Sequence, residues 1–165
     1  MRTQFKTFGS ASELIRHLEG NLEAKNKQNG TKKGRFIDIQ NEVIEKYRID
    51  LCDGTRCADD WARTHAHPRQ RRICKWTQKN SIASTFALFH EIGHVETHHS
   101  KMRRCEQEYY ATAWAIEKLK EYGIADKITA STKKLYQNYI YEELRRGTRR
   151  GGKGYPTKKE LTLNW

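Results

Sequence analysis

The residues with the clearest chemical potential form the motif His90-Glu91-Ile92-Gly93-His94, an H-E-x-x-H pattern. Residues four positions apart on a helix lie on one face about one turn apart, so both imidazoles can reach a single zinc ion. Glu91 would then lie beside the ion, where a carboxylate can take a proton from water and pass it to a leaving amine. The pattern predicts a zinc site with Glu91 as its catalytic residue.

The surrounding sequence favours this interpretation over two hydrogen-bonded core histidines beside a salt-bridged Glu91. Residues 81–95 are the most apolar run in the chain, and apolar side chains cover nearly every side of the expected helix. That distribution is typical of a helix buried at the centre of a fold. Burying three ionisable groups within five residues would be costly without a metal or other partners, so we expect the motif to bind a metal.

A hydrolytic zinc site needs a third protein ligand and one open position. The extended pattern H-E-x-x-H-x-x-G-x-x-H is absent, because Thr97 and Ser100 stand where it requires Gly and His. On a continuous helix His98 would lie about 12 Å from His90, too far to share an ion. We expect His98 and His99 to lie at the helix end, at a substrate-facing rim or behind the ligands.

The next predicted helix offers Glu106 and Glu108 as the third ligand. They point about 200° apart, so only one of them can face the metal. Glu108 shares its face with three small residues, Ala111, Thr112 and Ala115. Gly93 offers a matching small surface, which would let the two helices pack closely. We predict Glu108 as the ligand; the alternative is that both are surface carboxylates, which are favoured near a helix N-terminus.

The remaining elements must position these residues. A capping box at residues 10–13 predicts a short helix over 11–19, and the Lys-rich stretch 21–34 is typical of a basic loop. Besides the motif helix, apolar spacing predicts helices over 37–47, 105–122 and 127–146. Alternation predicts strands over 48–52 and 71–76, whereas residues 57–69 should be irregular.

These elements predict a mostly helical α+β fold with a small sheet beside the motif helix. The 165 residues fit one domain, which we place at 1–146 with its core over 37–122. The 4 Trp, 8 Tyr and 5 Phe supply bulky core material that disordered chains usually lack. Residues 147–165 are Gly-rich and basic, and we expect a loosely ordered tail there.

Composition also bears on location and partners. No stretch approaches the roughly 20 apolar residues that span a bilayer, and the N-terminus has no apolar signal core. We therefore expect a cytoplasmic protein without a membrane partner. The 32 Lys and Arg against 20 Asp and Glu give a net charge of +12, which indicates a polyanionic or acidic partner, or serves solubility.

Two basic segments favour non-specific nucleic-acid binding. The loop 21–34 is one, and the tail beyond 145 resembles flexible Arg/Gly-rich segments that contact phosphates and stack on bases. A solvated tail is the alternative interpretation. No base-reading module accompanies the charge, so the competing function is a basic nucleic-acid-binding protein with a structural or inactive zinc site.

A second set of metal-binding residue types is formed by Cys52, Cys57 and Cys74, with His65 and His67 between them. The spacing lacks the paired C-x2-C knuckles that identify structural zinc sites. We expect buried thiols instead, because the cytosol keeps cysteines reduced.

Residues 86–99 resemble the active-site helix of the ImmA/IrrE metallopeptidase family, in which H-E-x-G-H is followed by apolar residues and a His pair. Residues 108–115 resemble that family's second motif, a Glu followed by Ala at +3, an aromatic residue at +6 and Ala at +7. The resemblance covers about residues 37–122. It implies a zincin-like metallopeptidase with His90, His94 and Glu108 as zinc ligands and Glu91 as general base. It also implies a protein substrate, such as a regulatory protein. The basic surface would bring the enzyme to a DNA-bound or acidic target.

Two departures from the family pattern concern the second motif. Thr112 stands where the family often has Asn or Asp, which alters any contact made behind the ligands. Residues 116–119 replace the family's Leu-Leu-Met-Pro ending, so we expect the wall of the substrate cleft to differ from that of the family. The SprT-like proteases also share H-E-x-x-H, but they use a third His well downstream, and no His follows His99 here.

Overall fold

The computed structural model describes residues 35–54, 64–150 and 153–165, in which four α-helices accompany a three-stranded sheet. The elements are α1 (Arg35–Lys46), β1 (Asp50–Cys52), β2 (His65–His67), β3 (Arg72–Cys74), α2 (Ile82–Thr97), α3 (Arg104–Glu121) and α4 (Ala130–Arg149). Short 3-10 turns cover Pro68–Gln70 and Ala125–Lys127. The fold is mixed and mostly helical, as an α+β prediction requires. The predicted helix over 11–19, the loop 21–34 and Cys57 lie outside the described residues.

Helix α2 is the central element of the described fold. Ser81 begins it by accepting a hydrogen bond at Oγ from the Ser84 amide, 3.2 Å away. Every residue from Ile82 to Gly93 is buried, as the all-round apolar pattern predicts. This helix carries both histidines of the motif and packs against α1, α3 and the sheet.

Helices α2 and α3 approach closely because small residues meet at their crossing. A Cβ atom placed on Gly93 would lie 2.5 Å from the main-chain oxygen of Ala111, a distance that real side chains do not show. Ala111 and Ala115 are fully buried. The small surfaces expected on both helices are therefore what brings α3 against the histidine-bearing helix.

The sheet has the order β1-β3-β2, with β1 parallel and β2 antiparallel to β3. Strand β2 lies within residues 57–69, so the prediction of an irregular stretch is wrong for His65–His67. The sequence shows no sign of this strand, because the strand has only three residues and none of the β-branched residues that are typical of strands. Strand β3 is shorter than predicted, because Arg71 and Lys75 on either side have φ of 49° and 58°, outside the extended region.

The C-terminal segment corrects the expectation of a loose tail beyond Gly147. Helix α4 continues through that glycine to Arg149, and the later residues Leu161 and Leu163 are buried. Trp165 stacks on Phe86 with ring centroids 5.7 Å apart. Leu161, Leu163 and Trp165 alternate with polar residues at the end of a Lys-rich stretch, a short pattern that the prediction of a loose tail did not use. These side chains complete the core over α2 and α4.

None of the helices in the described ranges is long and apolar enough to cross a membrane. Cys52 is a buried thiol, as expected, and so is Cys105. Cys74 is disulfide-bonded, so the prediction of a free thiol is wrong for that residue.

Candidate metal centre

The two histidines of the motif converge on one point. Their Nε2 atoms lie 3.1 Å apart, and the rings are nearly perpendicular, at 85°, with centroids 4.7 Å apart. His90 is fully buried, while 19% of the His94 side chain is exposed. The pair therefore lies at the boundary between the core and the surface, with its exposed side at His94.

Helix α3 brings Glu108 to this pair. Its Oε2 lies 3.3 Å from Nε2 of His90 and 3.6 Å from Nε2 of His94. The ligating atoms of the three residues all lie within 4.8 Å of one another, so the group could hold a metal ion. Glu106 lies elsewhere: its Oε2 accepts a hydrogen bond from the Arg103 amide, 2.8 Å away, at the start of α3.

The Glu108 carboxylate supplies a direct test of whether a metal fits. Its Oε2 is buried and accepts no hydrogen bond from any of the residues that the structure describes. Buried carboxylate oxygens almost always have a partner, and an unsatisfied one is costly. A cation held between this oxygen and the two imidazole nitrogens would satisfy it, so the residues present fit a bound metal.

Thr112 fixes which nitrogen of His90 carries a proton. Its Oγ1 donates to the main-chain oxygen of Glu108 at 2.7 Å and lies 3.2 Å from Nδ1 of His90. A hydroxyl has a single hydrogen, so Thr112 can only accept from the Nδ1–H of His90. The lone pair of Nε2 is then directed at the point between the three residues where a metal ion could lie. The sequence indicates both a small packing residue and an altered contact behind the expected ligands at Thr112, and the structure shows which contact Thr112 makes there.

Glu91 lies between the histidine pair and the edge of the sheet. It is 4% exposed and accepts a hydrogen bond from the main-chain N–H of Ala66 in β2. Burial raises the pKa of Glu91 to about 7, against the opposing influence of His94. A carboxylate with a pKa near neutrality can both accept and release a proton.

The charges of His90, His94 and Glu108 are coupled. Burial lowers the pKa of His90. Burial also acts to lower the pKa of His94, but the adjacent Glu108 carboxylate outweighs it and leaves that pKa raised. Burial acts to raise the pKa of Glu108, yet the two imidazoles hold it well below its ordinary value. Glu108 is therefore ionised at neutral pH.

Arg104 connects this carboxylate to α4, a contact that sequence analysis missed. Its guanidinium lies 3.4 Å from Oε1 of Glu108 and 3.2 Å from Oε2 of Glu143. Arg146 contacts the other oxygen of Glu143 at 2.8 Å. The oxygen of Glu108 that faces away from the histidines thus has a cationic partner, which favours the ionised carboxylate.

His98 and His99 take no part in the group. Helix α2 ends at Thr97, and both residues are exposed just beyond it, at the helix end where sequence analysis expected them.

A second group of metal-binding residue types lies on the sheet. The ligating atoms of His65, His67 and Cys74 also lie within 4.8 Å of one another. Cys52, which sequence analysis placed in the same set, accepts at its sulfur from the Gly54 amide at 3.3 Å.

Comparisons of the whole chain with protein-family models, with curated proteins and with solved structures found no match. The function proposed below therefore depends on the residues and geometry of the site.

Proposed function

We propose that the protein is a zinc-dependent metallopeptidase that hydrolyses peptide bonds in a protein substrate, with a zincin-like fold similar to that of the ImmA/IrrE family. The observation that carries this proposal is the convergence of the unsatisfied Glu108 Oε2 on the Nε2 atoms of His90 and His94. Glu91, the adjacent buried carboxylate, provides a proton acceptor beside them.

The ligand types support zinc. Two imidazoles and one carboxylate form a ligand set found in catalytic zinc sites, where three protein ligands leave the fourth position open. Imidazole nitrogen favours zinc over magnesium or calcium, which prefer oxygen ligands. When bound, zinc would supply Lewis acidity that polarises a scissile carbonyl and acidifies water.

Glu91 would carry the proton transfers. As water attacks the carbonyl carbon, the Glu91 carboxylate takes one proton from it; the same proton then passes to the leaving amine nitrogen as the C–N bond breaks. The N–H of Ala66 would hold the carboxylate in place through both transfers. A pKa raised to about 7 suits a group that must act first as base and then as acid.

The position of β2 supports a peptide substrate. Among the described strands β2 lies at the edge of the sheet, and its Ala66 contacts Glu91. An extended peptide can pair with such an edge through main-chain hydrogen bonds. The substrate backbone would then pass directly over the proposed base.

The net charge of +12 supports an acidic or DNA-bound protein as the substrate, since long-range attraction raises the encounter rate with such targets. The resemblance to the ImmA/IrrE family favours a regulatory protein among such substrates.

The test compares the full chain with its Glu91→Gln variant. Metal analysis of purified wild-type protein should find zinc, and mass spectrometry of candidate proteins should find cleavage products. Glu91→Gln should retain the zinc and lose the cleavage. Folded wild type without bound zinc, or equal cleavage by the variant, would overturn the proposal.

A non-specific nucleic-acid partner is the second candidate. Arg145, Arg149 and Arg150 are exposed at the end of α4, which places positive charge on one surface. Arg145 pairs with Glu142 at 2.7 Å, so part of this charge is neutralised locally. Binding of duplex DNA by Glu91→Gln, measured against salt concentration, tests this partner separately from hydrolysis.

A further inference from the structure

The cluster formed by His65, His67 and Cys74 has no role in the proposed reaction. His65 and His67 are two residues apart in β2, so their side chains leave the same face of the strand. Their Nε2 atoms lie 3.2 Å apart, and the rings are nearly perpendicular, at 76°, with centroids 4.9 Å apart. Two imidazole nitrogens therefore converge on one point here, as they do at the first centre.

Strand pairing adds a sulfur to this pair. Cys74 of β3 is the cross-strand partner of His65, so both side chains project from the same face of the sheet. Cys74 is fully buried, and His65 is 8% exposed. The two nitrogens and the sulfur lie within 4.8 Å of one another.

The geometry matches that of the His90–His94 pair. There the two Nε2 atoms are 3.1 Å apart, with rings at 85°. A tetrahedral zinc ion with nitrogen ligands at about 2.0–2.1 Å separates those nitrogens by about 3.3–3.4 Å. Both pairs are thus within a few tenths of an ångström of the spacing that one metal ion requires.

The cluster lies on the face of the sheet that points away from the apolar core. Ile73 and Ala66 alternate with the cluster residues along β3 and β2, and they belong to the apolar core or pack against it. Alternation places His65, His67 and Cys74 on the opposite face. The cluster is therefore separate from the residues that would hold the first metal.

We propose that His65, His67 and the reduced Cys74 thiolate form a second zinc site, which ties β2 to β3. Two imidazoles and a thiolate are ligands that zinc prefers over hard cations. With three ligands from the described residues, zinc has a fourth position for water or a further side chain.

Formation of the site requires reduction, because Cys74 is disulfide-bonded in the structure. Two molecules of a thiol reductant convert the protein disulfide into two cysteine thiols and form one disulfide of their own. The Cys74 thiol then releases its proton to solvent as the thiolate binds zinc. The cluster would hold either a disulfide or a metal, depending on redox conditions.

A metal at this position would also bear on the first centre. Ala66, whose N–H contacts Glu91, lies between the two histidines in β2. Fixing both neighbours of Ala66 would hold that N–H in place. The site itself stands independently of the proposed peptidase function.

Cobalt titration of the full chain tests the proposal. A phosphine reductant keeps cysteines reduced without supplying a thiolate. Cobalt bound to thiolate shows a charge-transfer absorption in the near ultraviolet, which the first centre, having no sulfur ligand, cannot produce. Reduced wild type should bind two cobalt ions per chain and show this absorption; oxidised protein should bind one and show none.

Variants assign the absorption to the cluster. Cys74→Ser should lose the absorption and one bound ion, while Cys105→Ser should keep both. His90→Ala should keep the absorption, which separates this proposal from failure of the first centre. If Cys74→Ser does not fold, His67→Gln should lose one ion instead. A folded, reduced wild type without the absorption, or an absorption that survives Cys74→Ser, would overturn the proposal.

Discussion

The Thr112 hydroxyl lies 3.2 Å from Nδ1 of His90 and donates its only hydrogen to the main-chain oxygen of Glu108. One side chain thus touches a histidine on α2 and the backbone of the glutamate on α3. Contacts made behind metal ligands orient the rings and set their basicity. Thr112 would therefore be a positioning residue for the proposed metal centre.

Replacing this hydroxyl should weaken zinc binding. Thr112→Val keeps the shape of the side chain but removes the acceptor for the Nδ1–H of His90, so zinc affinity should fall by about 10- to 100-fold. Thr112→Ser keeps a hydroxyl and should retain affinity close to wild type. Competition with a chelator of known affinity measures both. Wild-type affinity in a folded Thr112→Val protein would contradict the positioning role.

Glu106 and Glu108 should differ sharply when each is changed to alanine. Glu108→Ala removes a ligating oxygen and should reduce bound zinc to a small fraction of the wild-type content. Glu106→Ala removes a contact to the Arg103 amide at the start of α3, which should cost about 1 kcal/mol of folding stability with zinc retained. Metal content and urea unfolding report the two effects. If Glu106→Ala lost the metal and Glu108→Ala kept it, Glu106 and not Glu108 would be the third ligand.

Glu91 should make the metal-free protein less stable as pH rises. Its pKa is about 7 in the folded protein against an ordinary value of 4.5, so the folded state binds this proton more tightly than the unfolded chain. The stability is fully present below pH 4.5 and is lost as pH rises to about 7, with a loss of about 3 kcal/mol.

The Glu91→Gln variant isolates this contribution, because glutamine does not ionise. The free energy of unfolding of the variant minus that of metal-free wild type should increase from pH 5 to pH 8. Urea unfolding after metal removal measures the difference at each pH. A difference that stays constant across this range would show that Glu91 does not titrate as its burial requires.

The parts of the site that follow from sequence are those with helical periodicity. The four-residue spacing of His90 and His94, and the small residues that share a face with Glu108, indicate which side chains converge. Strand β2 leaves no such signal, because three residues are too few to show alternation. The contact between Glu91 and Ala66 could therefore not be predicted from the sequence, although it links the proposed base to the edge of the sheet.

Long-range packing explains the other differences. Arg104 contacts Glu143, which lies 39 positions later in the sequence, and no local sequence pattern predicts such a pair. Leu161 and Leu163 stand among charged and polar residues, so composition favours a loose tail. Their burial depends on the surface that α2 and α4 together provide, which only the assembled fold reveals.

The C-terminal segment should stabilise the fold, and this separates two interpretations of its charge. Leu161→Ala should cost about 2–5 kcal/mol, because Leu161 is buried and its removal leaves a cavity. Truncation after Arg150 also removes Leu163 and Trp165 and should unfold the protein, so it cannot test nucleic-acid binding.

The exposed pair Arg149 and Arg150 can test nucleic-acid binding without unfolding the protein. Changing both residues to Gln should leave the denaturation midpoint unchanged. If these arginines bind phosphates, the salt dependence of DNA affinity should decrease by about 1 for each phosphate that is no longer neutralised. An unchanged salt dependence would assign this charge to solubility.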